Sequence, residues 1–321
     1  MELKMLQFSE SFFCEETRWG FTVSKTMKHA WAAEMEVLQR IIEICERHDL
    51  NYYVFWGTLL GAVRHEGFIP WDDDIDIALK REDYVKFLNA AEKELPSGYL
   101  LRNVYTDEEW TNAHTLVNNS QEIEISPSRL AEFHGCPFIV GVDIFPLDYI
   151  PRDEEAAELQ KTLLWTIGNM MFLLEDVVEK EEKGTEEERQ ESRKALEEGL
   201  STLEEWCKVS IDRDGSVANQ LRRLYDRICM MYGEKDGDIL TSYSEYIKGE
   251  GFTLPKEWFG TKQMKFENMT VTVPSDYDLI LKELFGDYMV PVQNTQDHDY
   301  PFYKSQLQML HDHDVWLDVK E

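Results

Sequence analysis

Apolar side chains recur at three- and four-residue intervals between Ser24 and His48, with charged side chains between them. The apolar positions are Trp31, Met35, Leu38, Ile42 and Cys45, and the charged positions include Glu34, Glu36, Arg40 and Glu43. This period is that of an amphipathic helix, so the segment predicts a long helix with one face on a core. A second helix is expected at Arg81–Glu94, because Pro96 and Gly98 follow it.

Short apolar runs separated by turn residues predict strands in the first half of the chain. These runs lie at Tyr52–Trp56, Asp74–Leu79, Tyr99–Tyr105, His114–Asn118 and Phe138–Phe145. A short helix from Thr58 to about His65 is expected between the first two runs. Strands that interleave with short helices in this order favour an α+β fold, a mixed sheet flanked by helices, over a doubly wound sheet.

The composition changes at Pro151, after which the chain is acidic and rich in helix formers. We therefore predict three parts. A core with its N-terminal helix spans 1–152, an inserted acidic helical subdomain spans 153–250, and a segment at 251–321 returns to the core. Gly184 is expected to separate two helices of the subdomain.

Two further elements are expected near the C-terminus. Gln263–Val273 alternates like a hairpin that turns at Glu267 and Asn268. Ser275 is expected to cap a helix that ends near Gly286.

The chain carries 33 basic and 63 acidic residues, a formal net charge of −30. This charge would repel a phosphate backbone and argues against nucleic acid as a partner. Five scattered cysteines without a CxxC pair are typical of reduced thiols and indicate a cytoplasmic protein. The longest apolar segment, Thr162–Leu174, is shorter than the roughly 20 residues that span a bilayer. We expect no transmembrane segment and a buried helix there, with peripheral membrane contact left open.

The stretch most informative about chemistry is GTLLGAVRHEGFIPWDDDIDIAL at 57–79. Asp74 and Asp76 stand two residues apart in an apolar run, so they would point the same way, roughly 6–7 Å apart. Ile75 and Ile77 would point into the core. Two like charges on one face resist burial unless a cation neutralises them, and a divalent ion with oxygen ligands is the simplest candidate.

Asp143 is the third candidate carboxylate. Val142 and Ile144 alternate with it, so a neighbouring strand could bring Asp143 against Asp74 and Asp76. Three carboxylates could hold one or two Mg²⁺ ions that also bridge substrate phosphates. The residues alone leave equally open that Asp143 is only an acid at the end of a strand.

Gly57 and Thr58 fall where a strand turns into the N-terminus of a helix, whose free N–H groups and dipole favour a phosphate. Alone this signal is weak, but an acid pair about one helix later makes it the pattern of a nucleotidyltransferase. Arg64 and His65, one to two turns further, could supply charge to a leaving phosphate or could simply be exposed.

Aromatic and acidic residues of the following loop offer further candidates. Trp71, with Trp56 or Phe68 nearby, could present an aromatic surface to a quaternary ammonium group or a base, or could only pack. Asp72 and Asp73 could order the loop through hydrogen bonds, and Asp72 could instead contact substrate or a metal-bound water.

The segment from Tyr52 to Tyr84 resembles the LicD family, whose relatives include the fukutin-type proteins. One ungapped run carries the resemblance through Gly57, Thr58, Gly61, Arg64, His65, Gly67, Phe68, Pro70, Trp71, Asp72, Asp73, Asp74 and Asp76. It continues more loosely at 142–148 and 285–289. The resemblance implies a polymerase-β-like nucleotidyltransferase fold and an enzyme that transfers phosphocholine or a related phospho-alditol.

The resemblance also implies a catalytic Mg²⁺ site, in which Mn²⁺ would also fit, formed by Asp74, Asp76 and Asp143. The substrate-binding residues would be Gly57, Thr58, Arg64, His65, Trp71, Asp72 and His298, the last in a tail that closes over the site. The donor would be CDP-linked, by resemblance CDP-choline. The acceptor would be a sugar hydroxyl on a glycan or lipid-linked glycan precursor of a cell-surface polysaccharide such as lipopolysaccharide or teichoic acid, and CMP would be released.

One departure from the family pattern concerns a basic residue that the family usually has around Thr115–Asn118, where this chain offers His114, Thr115 and Asn118. Two rival functions stay open. One is nucleotidyl transfer from an NTP with release of pyrophosphate, and the other is nucleotide binding or partner binding without catalysis.

Overall fold

The long N-terminal helix is present in the computed structural model, which describes residues 5–246, 251–293 and 300–312. The helices are α1 (Lys25–Arg47), α2 (Trp56–His65), α3 (Arg81–Glu94), α4 (Pro127–Glu132), α5 (Glu154–Lys183), α6 (Glu186–Cys207), α7 (Val217–Cys229), α8 (Tyr243–Tyr246), α9 (Tyr277–Phe285) and α10 (Lys304–Asp312). The strands are β1 (Glu16–Arg18), β2 (Phe21–Val23), β3 (Tyr52–Val54), β4 (Asp76–Lys80), β5 (Leu100–Arg102), β6 (Thr115–Asn118), β7 (Gly141–Pro151), β8 (Gly237–Thr241), β9 (Leu254–Pro255), β10 (Thr261–Phe266) and β11 (Met269–Pro274).

The described residues fall into two compact units. One lies within Met1–Leu101, His114–Pro146 and Glu257–Glu321, and the other within Arg102–Ala113 and Leu147–Lys256. The three-part division expected from composition stays a prediction.

The sheet of the first unit has the strand order β3-β4-β7-β6-β5. Strand β4 runs antiparallel to β3, and β6 runs antiparallel to β7, which places Leu116 opposite Asp143. The N–H of Asp143 donates to the carbonyl of Ile75 over 3.0 Å. The protein therefore has a mixed α/β fold with a mixed sheet flanked by helices. The finer assignment to a polymerase-β-like fold stays a prediction.

Strand β4 begins at Asp76, two residues later than expected. The N–H of Asp76 donates to the hydroxyl of Thr58 over 2.8 Å, and the N–H of Asp72 donates to the carbonyl of Ile69 over 3.0 Å. Because these groups bond outside the strand ladder, the segment that contains Asp74 is irregular. The expected burial of its neighbours is confirmed, since Ile75 is 1% exposed.

Helix α1 is buried on nearly all sides, which corrects the expectation of a solvent-facing polar side. Glu34, Glu36 and Arg40 are all less than 5% exposed. Glu36 bonds to Arg40 over 3.3 Å and to His134 over 2.7 Å. Trp31 stacks on Phe68 with ring centroids 4.5 Å apart. These three charged side chains in the middle of α1 are therefore interior groups that need partners inside the protein.

The predicted C-terminal hairpin is confirmed as β10–β11, and it fixes the loop after α2. At its turn, the carboxylate of Glu267 accepts two hydrogen bonds from the guanidinium of Arg18 and one from the N–H of Phe68, the last over 3.3 Å. The expected cap is wrong, because Asp276 occupies the N-cap of α9 and the hydroxyl of Ser275 donates to the carbonyl of Trp258.

The second unit contains α5, α6 and α7. The predicted break is confirmed: Gly184 ends α5, and Thr185 begins α6 through a capping box with Glu188. Side chains from all three helices form its apolar cluster, among them Leu164, Leu203 and Leu221. Strand β8 pairs with the end of β7 and with β9.

The apolar segment inside α5 is helical as expected, but only one of its faces is buried. Leu164 is fully buried, whereas Trp165 and Phe172 are 61% and 71% exposed. Within the described residues, no helix combines the length and apolar character that crossing a bilayer requires. All five cysteines lie in the described part of the chain, and none forms a disulfide.

Candidate active site

The turn from β3 into α2 positions the first group of candidate residues. Thr58 is buried, and its hydroxyl holds the N–H of Asp76, which ties the start of α2 to the start of β4. A Cβ atom on Gly57 would stand 2.6 Å from Oδ2 of Asp72. Glycine is therefore required for Asp72 to approach the first turn of α2. Phosphate binding by Gly57 and Thr58 stays a prediction.

Four aspartate side chains come together beside this turn. Burial raises the pKa of Asp76 well above its ordinary value, and the charges of Asp74, Asp143 and Asp72 raise it further. Burial also raises the pKa of Asp72, followed by the charges of Asp74 and Asp73. Within the described residues, no hydrogen bond or ion pair reaches the carboxylate of Asp76. The cluster therefore holds more negative charge than its surroundings compensate.

Asp143 joins this cluster from the neighbouring strand β7 and keeps some contact with solvent, at 31% exposure. Its Oδ1 lies 3.1 Å from Nε2 of His114. The imidazole of His114 packs on Phe145 with ring centroids 4.6 Å apart. His114, noted in the sequence only as a departure from the family pattern, is thus a direct neighbour of a candidate catalytic carboxylate.

The aspartate cluster offers oxygen donors alone, which is the donor chemistry that Mg²⁺ and Mn²⁺ prefer. A bound cation would also relieve the repulsion that raises the pKa values of Asp72 and Asp76. In residues 5–246, 251–293 and 300–312, however, no three His, Cys, Asp or Glu side chains are placed so that they could hold a metal ion. The donor set fits the ion, but the side chains do not form a coordination shell in this structure. The metal site stays a prediction.

One side of the cluster opens into a cavity of about 470 Å³, here called the tryptophan cavity. It is lined by Trp56, Gly57, Leu60, Arg64, Ile69, Trp71, Asp72, Asp74, Asp76, Phe285, Asp287, Tyr288, Val290 and Val292. Its volume is in the range of small-molecule sites.

Arg64 brings positive charge to the tryptophan cavity. Its Nε–H donates to Nε2 of His65 over 2.9 Å, and one Nη1–H donates to the carbonyl of Tyr288 over 2.6 Å. Two of the five N–H donors of the guanidinium are used in this way. No carboxylate in the described part of the chain forms an ion pair with Arg64, so its charge is available to an anion.

The pKa of His65 is lowered in this structure, and its expected role toward the substrate stays a prediction. Burial, followed by the charges of Arg64 and Arg18, lowers the pKa of His65 to about 4. The imidazole is therefore neutral near pH 7. Because Nε2 accepts from Arg64, the ring proton resides on Nδ1, which is buried and has no partner among the described residues. His65 therefore holds Arg64 through this hydrogen bond and is not among the lining residues of the tryptophan cavity.

Two tryptophans, Trp56 and Trp71, are among the aromatic residues that line the cavity. Trp71 is 4% exposed and packs edge-on against Phe21. Trp56 also lines the cavity, and its backbone has a positive φ of 43°. A non-glycine residue at such a φ stores backbone strain, which is often found at functional sites. Phe68, the other aromatic candidate, is instead stacked on Trp31 in the core.

The other side of the cluster opens into a larger cavity of about 830 Å³, here called the acidic cavity. It is lined by Glu34, Asp73, Asp74, Leu116, Ile139, Val140, Gly141, Asp143, Pro301, Phe302, Lys304, Ser305 and Gln308. Asp73 orders its wall, since Oδ2 accepts the N–H of Phe302 over 2.6 Å. Asp74 lines both cavities. His298 lies outside the described residues, and its role stays a prediction.

Sequence reasoning missed Glu34 as a member of this site. Burial raises its pKa well above the ordinary value, followed by the charges of Asp73, Asp74 and Asp72. A signal for its burial was present, because small and apolar residues also occupy the face of α1 on which Glu34 lies. They are Ala30, Val37 and Ile41. A helix that is apolar on all sides is buried on all sides.

Most of the residues of this site lie in a segment that matches a known protein family. Residues 49–147 match the family model "LicD/FKTN/FKRP, nucleotidyltransferase domain". This segment is a LicD-family domain. It contains the turn at Gly57, the aspartates at 72–76 and Asp143.

Two relatives share parts of this domain. The lipopolysaccharide cholinephosphotransferase LicD of Haemophilus influenzae is 30% identical over 128 residues, which are 40% of this chain and 46% of that protein. The ribitol 5-phosphate transferase FKRP of the mouse is 32% identical over 80 residues, 23% of this chain and 16% of that protein. This chain thus covers less than half the length of either relative.

Proposed function

We propose that this protein transfers a phospho-alcohol group, phosphocholine by its similarity to LicD, from a CDP-linked donor to a sugar hydroxyl of a cell-surface glycan precursor. CMP is the second product. The observation that carries the proposal is the aspartate cluster beside two cavities, one of which holds Arg64, an arginine with no carboxylate partner among the described residues. The transferase names of both relatives support phospho-alcohol transfer. A cytoplasmic location belongs to the proposal and rests on the five free thiols.

The tryptophan cavity is the proposed donor site. The N–H donors of Arg64 that have no partner in the described part of the chain bind the diphosphate, because a guanidinium matches phosphate oxygens in geometry and charge. Trp56 and Trp71 face the cationic alcohol, for which cation–π attraction contributes about 0.5–2 kcal/mol. His65, fixed in one tautomer, holds Arg64 in place.

The reaction joins the acceptor oxygen to the phosphorus that carries choline. The bond from that phosphorus to the oxygen shared with CMP breaks, and CMP leaves with the electron pair. Asp143, partly exposed and held by His114, accepts the proton of the attacking hydroxyl. Asp74, Asp76 and Asp143 would hold the Mg²⁺, or Mn²⁺, which supplies neutralising charge to the diphosphate.

CMP release from CDP-choline tests this proposal. Asp74→Asn and Asp76→Asn, singly and together, are expected to lower the rate at least ~100-fold, since each removes charge that the ion requires. Asp49→Asn is the matched control, because Asp49 is exposed and asparagine tolerates its positive φ of 54°. Retention of the full rate by the double variant would contradict the mechanism.

A screen of melting temperature identifies the donor. CDP-choline, CDP-ribitol, CDP-glycerol and NTPs are compared with and without Mg²⁺, and the donor is expected to give the largest metal-dependent rise. Nucleotidyl transfer is the second candidate, because the matched family model is described as a nucleotidyltransferase domain. Pyrophosphate released from an NTP would favour that reaction over the CMP-releasing one. Nucleotide binding that is insensitive to EDTA, without turnover, would favour a binding protein.

A further inference from the structure

Glu34 places a buried polar atom without a partner beside the acidic cavity. The side chain is 2% exposed, and its Oε2 has no hydrogen-bond partner among the described residues. Buried polar atoms in native proteins are nearly always satisfied, so each exception requires an explanation. Glu34 also lines the acidic cavity. A ligand in that cavity would supply the missing partner.

Another glutamate of the same helix shows that the exception is local. Glu36 is equally buried at 3% exposure, but it receives Arg40, His134 and the N–H of Leu6. The buried carboxylate of Glu36, which protein surrounds, thus has its hydrogen-bond partners within the protein. The carboxyl group with the unsatisfied oxygen is the one on the cavity wall.

The lining of the acidic cavity selects the charge of its ligand. Four carboxyl groups line it, those of Glu34, Asp73, Asp74 and Asp143, against the single lysine Lys304. An anionic group would be repelled there. Apolar surface lies between these groups, from side chains such as Val140 and Phe302. Polar groups spaced over apolar surface suit a ligand with several hydroxyl groups and C–H faces.

Asp74 connects this cavity to the chemistry. It lines both the acidic cavity and the tryptophan cavity, so a hydroxyl group bound in the first is next to a phosphate bound in the second. Asp143, the proposed proton acceptor, lines only the acidic cavity of the two. Two substrates can therefore approach the aspartate cluster from different sides.

We propose that the acidic cavity is the acceptor subsite, that it binds an uncharged sugar, and that Glu34 hydrogen-bonds one of the sugar hydroxyl groups. The role as acceptor rests on the function proposed above, whereas sugar binding and its dependence on Glu34 do not. Glu34 is a residue of acceptor specificity and takes no part in the bond changes at phosphorus.

Sugar binding is measured directly by ligand-observed NMR with three probes: methyl β-galactoside, methyl N-acetyl-β-glucosaminide and glucose 6-phosphate. Glu34→Leu removes both oxygens at similar size, and Glu34→Gln keeps groups that donate and accept. Loss of one hydrogen bond is expected to weaken binding of a neutral glycoside ~5–10-fold in Glu34→Leu and less than ~2-fold in Glu34→Gln. Glu36→Gln is the matched control, expected to lower the melting temperature without changing sugar binding.

Steady-state kinetics separate a binding role from a structural one. In Glu34→Leu the KM for the sugar is expected to rise by the same factor, with the KM for CDP-choline unchanged. A parallel rise in both KM values would overturn the inference. Equal binding of the neutral glycosides to the wild type and to Glu34→Leu, or binding to neither protein, would also overturn the inference. Tighter binding of glucose 6-phosphate than of the neutral glycosides would overturn it as well. Sugar binding without CMP release would reject the proposed function but would still support a sugar-binding site at Glu34.

Discussion

Asp76→Asn tests whether the aspartate cluster stores unfavourable charge in the folded protein. Asp76 is 9% exposed and its carboxylate has no partner in the described part of the chain, while Asp74 and Asp143 add repulsion. Asparagine has nearly the same size and no charge. We expect the variant to be more stable than the wild type in EDTA, although it loses activity, as is common for residues kept for function.

The size of the stabilisation follows from the distance between the carboxylates of Asp74 and Asp76. Because the Cα atoms of residues two apart lie at most about 7 Å from each other whatever the path of the chain, about 6.5 Å is taken as the distance between the two carboxylates. Two unit charges at that distance repel by about 2.5 kcal/mol at an effective dielectric constant of 20, and by about 0.6 kcal/mol in water, as in the unfolded chain. Removal of one charge therefore stabilises the folded state by about 2 kcal/mol. A unit of this size should melt roughly 4–8 °C higher.

The pH dependence has a definite sign. The pKa of Asp76 in the folded protein is raised above the unfolded value of about 4. Below pH 4 the carboxyl group is protonated in both states and destabilises neither. As pH rises above 4 the unfolded state loses its proton first, so the wild type loses stability until the pH passes the folded pKa. The advantage of Asp76→Asn should therefore grow from near zero at pH 4 to its full value above the folded pKa.

The measurement is thermal unfolding followed by tryptophan fluorescence in EDTA, across pH 4 to 8. Asp49→Asn serves as the control and should melt with the wild type at every pH. Added Mg²⁺ should raise the melting temperature of the wild type and have little effect on Asp76→Asn. An Asp76→Asn protein that melts below the wild type in EDTA at pH 8 would refute the reasoning.

Three further predictions concern the turn and the proposed donor site. Gly57→Ala places a Cβ 2.6 Å from Asp72 and should cost about 1–3 kcal/mol and most of the activity, measured by urea unfolding and CMP release. Thr58→Val leaves the buried N–H of Asp76 without an acceptor and should cost about 1–3 kcal/mol, whereas Thr58→Ser should remain near wild type. Arg64→Lys loses the planar donor fork and should raise the KM for the donor roughly tenfold, with sugar binding by NMR unchanged. An unchanged KM would argue against Arg64 as the phosphate ligand.

Local sequence predicted the elements that carry the aspartates. Helix α3 has the expected bounds, Arg81–Glu94, because proline and glycine soon after it stop helix propagation. The alternation around Asp143 also placed Val142 and Ile144 on the opposite face of the strand, and both are fully buried. These features depend on the period of apolar residues over a few positions, and such a period is visible in one sequence.

Long-range contacts account for what the sequence did not reveal. Glu34 appeared as part of a polar face; the apolar residues around it in α1 indicate its burial, but not the cavity that it lines. His65 appeared able to carry charge, and its pKa is lowered first by burial, then by Arg64 and by Arg18, which lies far from it in sequence. The turn at Glu267, which fixes the loop after α2 from a distant hairpin, has no signature near that loop.

Asp74 lies in an irregular segment directly before β4, and this path of the chain determines what its side chain reaches. In a regular strand Asp74 would bond to its neighbours through its backbone, with its side chain on one face of the sheet. The strand begins only at Asp76 because Thr58 holds its N–H, so the chain before it is free to follow the start of α2. That path lets Asp74 line two cavities, with Arg64 in one and Glu34 in the other. The hydroxyl of Thr58 thus fixes the point at which β4 begins, two residues after the aspartate that lines both cavities.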